Sequence, residues 1–388
     1  MARAAVVGAG MTKFGVHEQP LQELFGEAAF AALDDAGVGS RDLDALYFGN
    51  AMSGQAENET HLGPRMASHI GAAGLEVQRF EDACATSANA FKNAVQAVDA
   101  GVHDVVLVGG VERCTPETGK DTPEMTRIFA SASHRQYEQP TGLTFPGVFA
   151  LLTKRHMHEY GTTEEQLAEV AVKNHAHGRL NPRAHFGKET TVEEVLEGPV
   201  VADPFRLMDC CPFSDGASAV VVVNPEYAES FDDTVGVTGL GHATDIVPVA
   251  DKVEPTATQS ARDAAAQAYE QAGIEADDAD FAEVHDCFTG AEVLATEALG
   301  LFEDGEGGPA AAAGKTALSG ETPVNPSGGL KAKGHPIGAT GTAQIVELTE
   351  QLRGEAGDRQ VEDPSVGLAH NLGGDTGTTL VTVMEETA

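Results

Sequence analysis

Tryptophan is absent from this chain of 388 residues, and aromatic residues make up only 5% of it, so we expect a core of aliphatic side chains and alanine. Basic residues are also scarce: 24 lysines and arginines stand against 60 acidic residues, which gives a formal net charge of -36. Nucleic acids and anionic membranes are bound through basic surfaces, so this balance argues against both as partners. No apolar run is long enough to span a bilayer.

The acidic excess would repel itself in dilute solution, and we therefore expect a halophilic cytoplasm, with an ordinary acidic protein as the alternative. The five cysteines form no Cys-x-x-Cys pair and are odd in number, which argues against a disulfide framework or a zinc ribbon. The first predicted strand begins within a few residues of Met1, so no signal peptide is expected. These features together predict a cytoplasmic protein in a reducing compartment.

The chain reads as two copies of one α/β half. The first copy has predicted strands over residues 4–8, 45–49 and 104–109 and helices over 21–36 and 84–100. The second has strands over 235–240, 281–285 and 365–369 and helices over 260–272 and 335–352. Strands that alternate with helices predict parallel sheets covered on both faces.

An insert separates the copies, with predicted helices over 145–160 and 163–175. The chain returns to the sheet over 214–223 and ends in strands over 376–385. We therefore divide it into an N-terminal half (1–113), an inserted loop domain (114–208), the final strands of the N-terminal half (209–233) and a C-terminal half (234–388).

A thiol and an imidazole each stand at the entry to a helix. Cys84 lies in the small-residue turn Asp82-Ala83-Cys84-Ala85-Thr86, and His335 lies in Gly334-His335-Pro336-Ile337-Gly338. A helix N-terminus and a nearby imidazole are expected to lower the pKa of the Cys84 thiol. Because the halves are duplicated, their corresponding loops should converge near a pseudo-twofold axis. A third segment, His285-Asp286-Cys287-Phe288, adds a second imidazole and a second thiol after an apolar strand.

These motifs resemble those of the thiolase superfamily over essentially the whole chain, with most likeness to the sterol-carrier-protein-type thiolases and their archaeal relatives. The resemblance implies a layered α-β-α-β-α fold and dimers, or dimers of dimers. One position departs from the pattern. Other thiolases carry Cys-x-Gly-Gly near the C-terminus, whereas this chain has His370-Asn371-Leu372-Gly373-Gly374. In the sterol-carrier branch the thiol of the His-Asp-Cys-Phe segment is assumed to replace the lost one.

The resemblance assigns a role to each residue in the reversible condensation of acyl-CoA with acetyl-CoA. Cys84 is the nucleophile that carries the acyl group, and His335 is the base that takes its proton. Cys287 exchanges a proton with carbon, and His285 orients a water or donates to the enolate oxygen. The backbone N–H groups of Cys84 and Gly373 are expected to stabilise a second oxyanion, with Gly374 as a neighbouring alternative and Asn371 placed in the same group.

Coenzyme A thioesters are the expected substrates, with no further cofactor. Nine of the 24 basic residues fall between Lys120 and Lys188, and Lys154, Arg179 and Arg183 are the cations proposed for the phosphates of coenzyme A. The alternative, that these cations pair with carboxylates on helix faces, fits equally well. No metal site is expected, and four histidines of the insert are interpreted as solvated helix residues: His156, His158, His175 and His177.

Two other functions stay open. A decarboxylating ketoacyl synthase also pairs one cysteine with two histidines, although it needs no second thiol. A catalytically silent acyl-CoA-binding scaffold is the other, although it needs none of the four reactive side chains. The resemblance also suggests a small OB-fold or zinc-ribbon partner protein and a hydroxymethylglutaryl-CoA synthase as partners in isoprenoid formation. The sequence leaves acyl length and reaction direction undetermined.

Overall fold

A computed structural model describes residues 4–231 and 233–387. The first strands are β1 (Ala5–Met11), β2 (Ala45–Gly49), β3 (Glu76–Phe80), β4 (Val105–Glu112), β5 (Val200–Ala202), β6 (Phe205–Arg206) and β7 (Gly216–Val223). The later strands are β8 (Val235–Thr244), β9 (Phe281–Glu283), β10 (Val366–Gly373) and β11 (Thr378–Glu386).

The α-helices before the second half are α1 (Leu21–Ala36), α2 (Ser53–Ala56), α3 (Leu62–His69), α4 (Thr86–Asp99), α5 (Thr122–Phe129), α6 (Phe145–Tyr160), α7 (Glu164–Leu180), α8 (Val192–Leu196) and α9 (Pro225–Ala228). Those of the second half are α10 (Gln259–Ala272), α11 (Thr289–Ala298), α12 (Gly307–Ala312), α13 (Gly329–Ala332) and α14 (Thr340–Leu352). None of these helices is both long enough and apolar enough to cross a membrane.

Nine strands form one mixed sheet in the order β3-β2-β4-β7-β1-β8-β11-β10-β9. Strands β2, β3 and β4 run parallel, as do β9 and β10. Strand β7 is antiparallel to both β4 and β1, and β11 is antiparallel to both β10 and β8. The expectation of purely parallel sheets is therefore wrong, because each half returns one strand against the direction of its neighbours.

The two halves repeat the same strand pattern. In the first half β2, β4, β7 and β1 lie side by side with the same relative directions as β9, β10, β11 and β8 in the second. The halves join through β1 and β8, which pair antiparallel at Ala5 with Gly236 and at Val6 with Val235. An antiparallel pairing of equivalent strands is the relation that a twofold axis between the halves produces.

Alternate residues of the strands face two different cores. On one face Val221 and its neighbours in the sheet pack against α1. On the other face Val220 and Val222 pack against side chains of α4 and α14. Helix α14 contacts strands of both halves as well as α4, so these two helices form a shared inner layer. The turns that precede α4 and α14 are thereby brought to the same region.

The insert contributes α5 to α8 and the two-stranded sheet of β5 and β6. Side chains of α6 and α7 pack against α11 and against Phe288 of the second half. Phe288 stacks on Phe205 with ring centroids 5.2 Å apart and lies at the same centroid distance from Phe149. The insert therefore closes over the segment that carries His285 and Cys287. The domain boundaries given above stay a prediction.

Candidate active site

Cys84 lies in the tight turn between β3 and α4. Ala83 has φ +46, a left-handed conformation that is uncommon for a residue with a side chain. The turn is held by Thr86, whose Oγ1 accepts the backbone N–H of Asp82 at 2.9 Å and donates to the carbonyl oxygen of Ala83. The cysteine thus precedes the helix start at Thr86, rather than beginning the helix as predicted.

His335 lies in the turn between α13 and α14. Helix α14 begins at Thr340, and not at the histidine as predicted. Gly334 has φ +113, and a Cβ there would stand 2.7 Å from Oγ of Ser214, so only glycine fits. The two turns are tied together at their helix starts, because the backbone N–H of Thr342 donates to Oγ of Ser87 at 3.1 Å. This bond joins α14 directly to α4.

The His285-Asp286-Cys287 segment follows β9 and is anchored by its buried aspartate. Asp286 accepts the backbone N–H groups of Leu330 at 2.6 Å and Lys331 at 3.2 Å. It also accepts Nδ2 of Asn174 from α7 at 2.7 Å. Three donors from two other parts of the chain therefore fix the backbone on which the flanking imidazole and thiol stand.

These segments converge on one cavity. Sγ of Cys84 and one ring nitrogen each of His285 and His335 all lie within 4.8 Å of one another. The rings of the two histidines meet edge to face, with centroids 5.0 Å apart and planes at 88°. Cys287 lines the same cavity, and burial raises the pKa of its thiol well above the usual value, with smaller contributions from Cys211 and Cys84. The four predicted side chains thus share one site.

The cavity has a volume of about 320 Å³ and a mostly apolar wall. Its larger apolar side chains are Met52, Phe129, Phe145, Phe149, Val201, Leu207, Phe213, Phe288 and Ile337. Val201 and Leu207 are exposed at its rim, and no lysine or arginine is among the described residues that line it. An apolar wall around a few reactive groups suits an acyl chain and excludes water from the reacting atoms.

Burial keeps the reactive groups neutral. It raises the pKa of the Cys84 thiol to about 12, although the backbone N–H of Gly374 donates to the sulfur and lowers it. Burial lowers the pKa of His335 to about 3 and that of His285 well below its usual value, in the latter case helped by His335. The predicted lowering of the Cys84 pKa is therefore wrong, because desolvation outweighs the helix N-terminus.

The predicted oxyanion donors are only partly brought together. The N–H that reaches the Cys84 sulfur belongs to Gly374, the neighbouring alternative. Gly373 pairs with Thr378 within the sheet and is not among the described residues that line the cavity. Asn371 lies behind His285, where its Nδ2 is 3.1 Å from Nδ1 of the ring. The oxyanion roles of Cys84, Gly373 and Asn371 stay predictions.

The cations proposed for coenzyme A do not reach the cavity. Lys154 pairs with Asp203 at 2.9 Å, Arg179 pairs with Glu189 at 2.6 Å, and Arg183 pairs with Glu350. Each cation already has a carboxylate partner, which is the alternative that the sequence left open. Their role in binding phosphate stays a prediction.

Three of the four insert histidines are buried, contrary to the interpretation as solvated residues. His156 is 2.8 Å from Oε2 of Glu297 through Nε2 and 2.9 Å from Oγ1 of Thr162 through Nδ1. His175 and His177 each contact a backbone carbonyl oxygen, and only His158 is exposed. Partners supplied by other segments make their burial possible.

Thr340 has a place in the site that was not predicted from the sequence: its hydroxyl lies 2.6 Å from Nδ1 of His335. The same is true of Phe129 and Phe213, which meet edge to face at 4.9 Å on the wall beside Cys84. The hydroxyl five residues after the histidine, at the first residue of α14, was a usable signal for Thr340. Nothing local signals the two phenylalanines, since the pair forms only on folding.

Comparisons with known proteins cover the whole length. The family model described as "Thiolase, N-terminal domain" matches residues 4–226, and that described as "Thiolase C-terminal domain-like" matches residues 241–386. Acetyl-CoA acetyltransferase of Methanothermobacter thermautotrophicus is 44% identical, over 98% of this chain and 99% of that protein. Sterol carrier protein 2 of Bos taurus is 34% identical, over 96% of this chain and 70% of that protein. A solved structure described as Ltp2-ChsH2(DUF35) aldolase is 25% identical, with a TM-score of 0.81 over 99% of this chain and 98% of that one.

Proposed function

The chain belongs to the thiolase family and is an acyltransferase, and on that basis we propose that it joins acyl-CoA to acetyl-CoA reversibly through an acyl group carried on Cys84. The observation that carries the proposal is the grouping of the Cys84 sulfur with ring nitrogens of His285 and His335 within 4.8 Å. Cys287 on the same cavity supplies a second thiol. Acetoacetyl-CoA synthesis and thiolysis of 3-oxoacyl-CoA are the two directions of this one reaction.

The first half-reaction loads the enzyme. The Cys84 thiol gives its proton to the free-base ring of His335 as the sulfur attacks the thioester carbonyl carbon of acyl-CoA. The carbon–sulfur bond to coenzyme A breaks, and the imidazolium returns its proton to the departing thiolate. Because thiol and ring are both neutral at rest, charge develops only while the acyl group moves.

The second half-reaction forms the carbon–carbon bond. Cys287 acts in this step as a thiolate, its proton having passed to the free-base ring of His335. It removes a proton from the methyl carbon of acetyl-CoA, and His285 donates a hydrogen bond to the resulting enolate oxygen. The enolate carbon attacks the acyl carbon on Cys84, the carbon–sulfur bond to Cys84 breaks, and the sulfur takes the proton held by His335, so that both thiols and the ring are neutral again. Thiolysis runs the same steps backwards, so one set of side chains serves both directions.

Intact-mass measurement tests the first step. Incubation with acetyl-CoA should add the mass of one acetyl group to the chain and to the Cys114→Ala variant, whose thiol is buried outside the cavity lining. Cys84→Ala should show no adduct and no thiolysis of acetoacetyl-CoA. An acetyl adduct that persists in Cys84→Ala would rule out the assigned nucleophile.

Adduct formation and the use of malonyl-CoA together separate the two remaining functions. A decarboxylating synthase would form product from malonyl-CoA and need no second thiol, whereas a scaffold would form no adduct at all. Retention of Cys84, His285, Cys287 and His335 in one cavity supports the thiolase reaction over both. Product formation that depends on malonyl-CoA would overturn it.

For the setting of the reaction we propose a homodimer, or a dimer of dimers, in a cytoplasm of high salt. The net charge of -36 supports the proposal of a high-salt cytoplasm, and the resemblance to thiolases supports the proposed oligomer. The similarity to the Ltp2-ChsH2(DUF35) structure supports a small partner protein. The resemblance gives that partner an OB fold or a zinc ribbon and adds a hydroxymethylglutaryl-CoA synthase. Light scattering at molar salt, with and without co-purified proteins, tests the assembly.

A further inference from the structure

Both catalytic imidazoles are buried and neutral, yet the proposed reaction needs a different hydrogen-bonding role from each ring. His335 must accept a proton, whereas His285 must donate a hydrogen bond. A neutral imidazole carries one proton on either Nδ1 or Nε2, so the difference is a choice of tautomer. Each ring has a side chain at its Nδ1 atom that makes this choice.

Thr340 sets the tautomer of His335. Its Oγ1 lies 2.6 Å from Nδ1 of the ring and donates to the carbonyl oxygen of Pro336 at 3.0 Å. A hydroxyl has a single proton, and here it goes to the carbonyl, so toward the ring the oxygen acts only as acceptor. Nδ1 of His335 therefore carries the proton, and Nε2 keeps a lone pair for the Cys84 thiol.

Asn371 sets the other tautomer in His285. Its Nδ2 lies 3.1 Å from Nδ1 of the ring, and its Oδ1 is buried without a hydrogen-bond partner among the described residues. With the amide in this orientation its nitrogen faces the ring, and an amide nitrogen only donates. Nδ1 of His285 is therefore the acceptor, and the ring proton sits on Nε2. That Nε2 is fully buried and has no hydrogen-bond partner among the described residues, on a ring that lines the cavity. A substrate oxygen would satisfy it.

We propose that Thr340 and Asn371 are positioning residues that hold the two imidazoles in opposite tautomers, His335 as proton acceptor and His285 as hydrogen-bond donor. The division of roles rests on the proposed function, but the tautomers themselves do not. Both positioning residues are buried, at 1% and 2% exposure, so water does not compete for the ring nitrogens. Reversal of either tautomer would leave the cavity with two acceptors or two donors.

Nitrogen-15 NMR of the full-length protein with labelled histidine measures the tautomers directly. We expect Nδ1–H in His335 and Nε2–H in His285. Each resonance is assigned by its loss in a variant in which that one histidine is replaced. In Asn371→Asp the carboxylate accepts from Nδ1, so the His285 proton should move from Nε2 to Nδ1. A wild-type His285 with Nδ1–H would overturn the proposal.

Kinetics then separate the two positions. Thr340→Val, which has the shape of threonine without the hydroxyl, should slow acetylation of Cys84 by about 10–100-fold, whereas Thr340→Ser should restore it. Asn371→Asp should slow condensation by about 10–100-fold more than it slows acetylation, through kcat and with KM unchanged. Full condensation activity in Asn371→Asp, or failure of serine to rescue position 340, would count against the assignment. If the NMR tautomers are as expected but no acetyl adduct forms, the proposed function fails and the tautomer assignment stands.

Discussion

Gly341 of α14 lies directly against Ala88 of α4: a Cβ built on Gly341 would stand 2.3 Å from the backbone nitrogen of Ala88. The two inner helices therefore touch backbone to backbone within one turn of their starts. Because Cys84 and His335 lie just before those starts, this contact sets how closely the thiol and the imidazole approach. Gly341 thus has a steric role: it allows the close approach of the two helices that places the thiol beside the imidazole.

Gly341→Ala should separate the helix starts. The added methyl overlaps backbone atoms, which cannot move aside as a flexible side chain can, so we expect a loss of about 1–3 kcal/mol in the free energy of unfolding. Acetylation of Cys84 should also slow. Denaturant titration and intact-mass kinetics measure both effects. The matched control is Gly187→Ala, where a Cβ meets nothing within 4 Å. Equal behaviour of the two variants would contradict the close approach.

Cys287→Ala should separate the two half-reactions. Acetyl transfer to Cys84 does not use this thiol and should continue near the wild-type rate. Condensation needs a group to exchange a proton with carbon, and we expect its rate to fall by about 10²–10⁴-fold. Acetyl adduct formation and acetoacetyl-CoA production are measured on the same sample, with Cys114→Ala as the buried-thiol control. An equal loss of both steps would mean that Cys287 supports the structure rather than the proton transfer.

The acylation step should be nearly independent of pH. The pKa of His335 is lowered to about 3, so above that value the ring is a free base. The pKa of Cys84 is raised to about 12, so below that value the sulfur keeps its proton. From about pH 5 to 9 the neutral thiol and the free-base ring are therefore both the resting forms and the forms that react. The rate constant for acetylation should change less than about threefold across this pH range. A tenfold rise per pH unit between 6 and 8 would show that a preformed thiolate is the reactive form. Circular dichroism across this range confirms that the chain stays folded.

Salt should stabilise the protein by screening. With a net charge of -36, repulsion between surface carboxylates is long-ranged in dilute buffer. The screening length falls from about 10 Å at 0.1 M salt to about 3 Å at 1 M. We expect the melting temperature to rise by about 5 °C or more between 0.1 and 2 M KCl. Sucrose at matched osmolality is the control, because it does not screen charge. An equal rise in sucrose would assign the effect to exclusion from the surface.

Some elements were predicted from the local sequence with the correct first and last residues. Helix α1, helix α6 and strand β2 have the bounds that the sequence indicated, and both helices end at a glycine in the left-handed conformation. Strand direction was not predictable in this way. Alternation of strands and helices says nothing of β7, which returns after the insert, or of β11, which forms a hairpin with β10.

Cys84 and His335 were predictable because each stands in a short turn rich in alanine or glycine before a helix, and His285 and Cys287 because they follow an apolar strand. Their second partners were not, because Thr340 and Asn371 act through contacts that exist only after folding. The pKa of Cys84 was mispredicted for a related reason. The helix N-terminus is visible in the sequence, but the desolvating walls come from separate segments. Family membership and the thiolase fold, which depend on motifs along the whole chain, are confirmed.

The short pairing of β1 with β8 has a consequence for how the polypeptide can be divided. Each half alone would end in an open strand edge, a surface that invites uncontrolled association with other chains. In the whole chain, the pairing of β1 with β8 covers this strand edge in both halves. We therefore expect the two halves to be insoluble when each is expressed alone. They should form an active enzyme only when they are co-expressed.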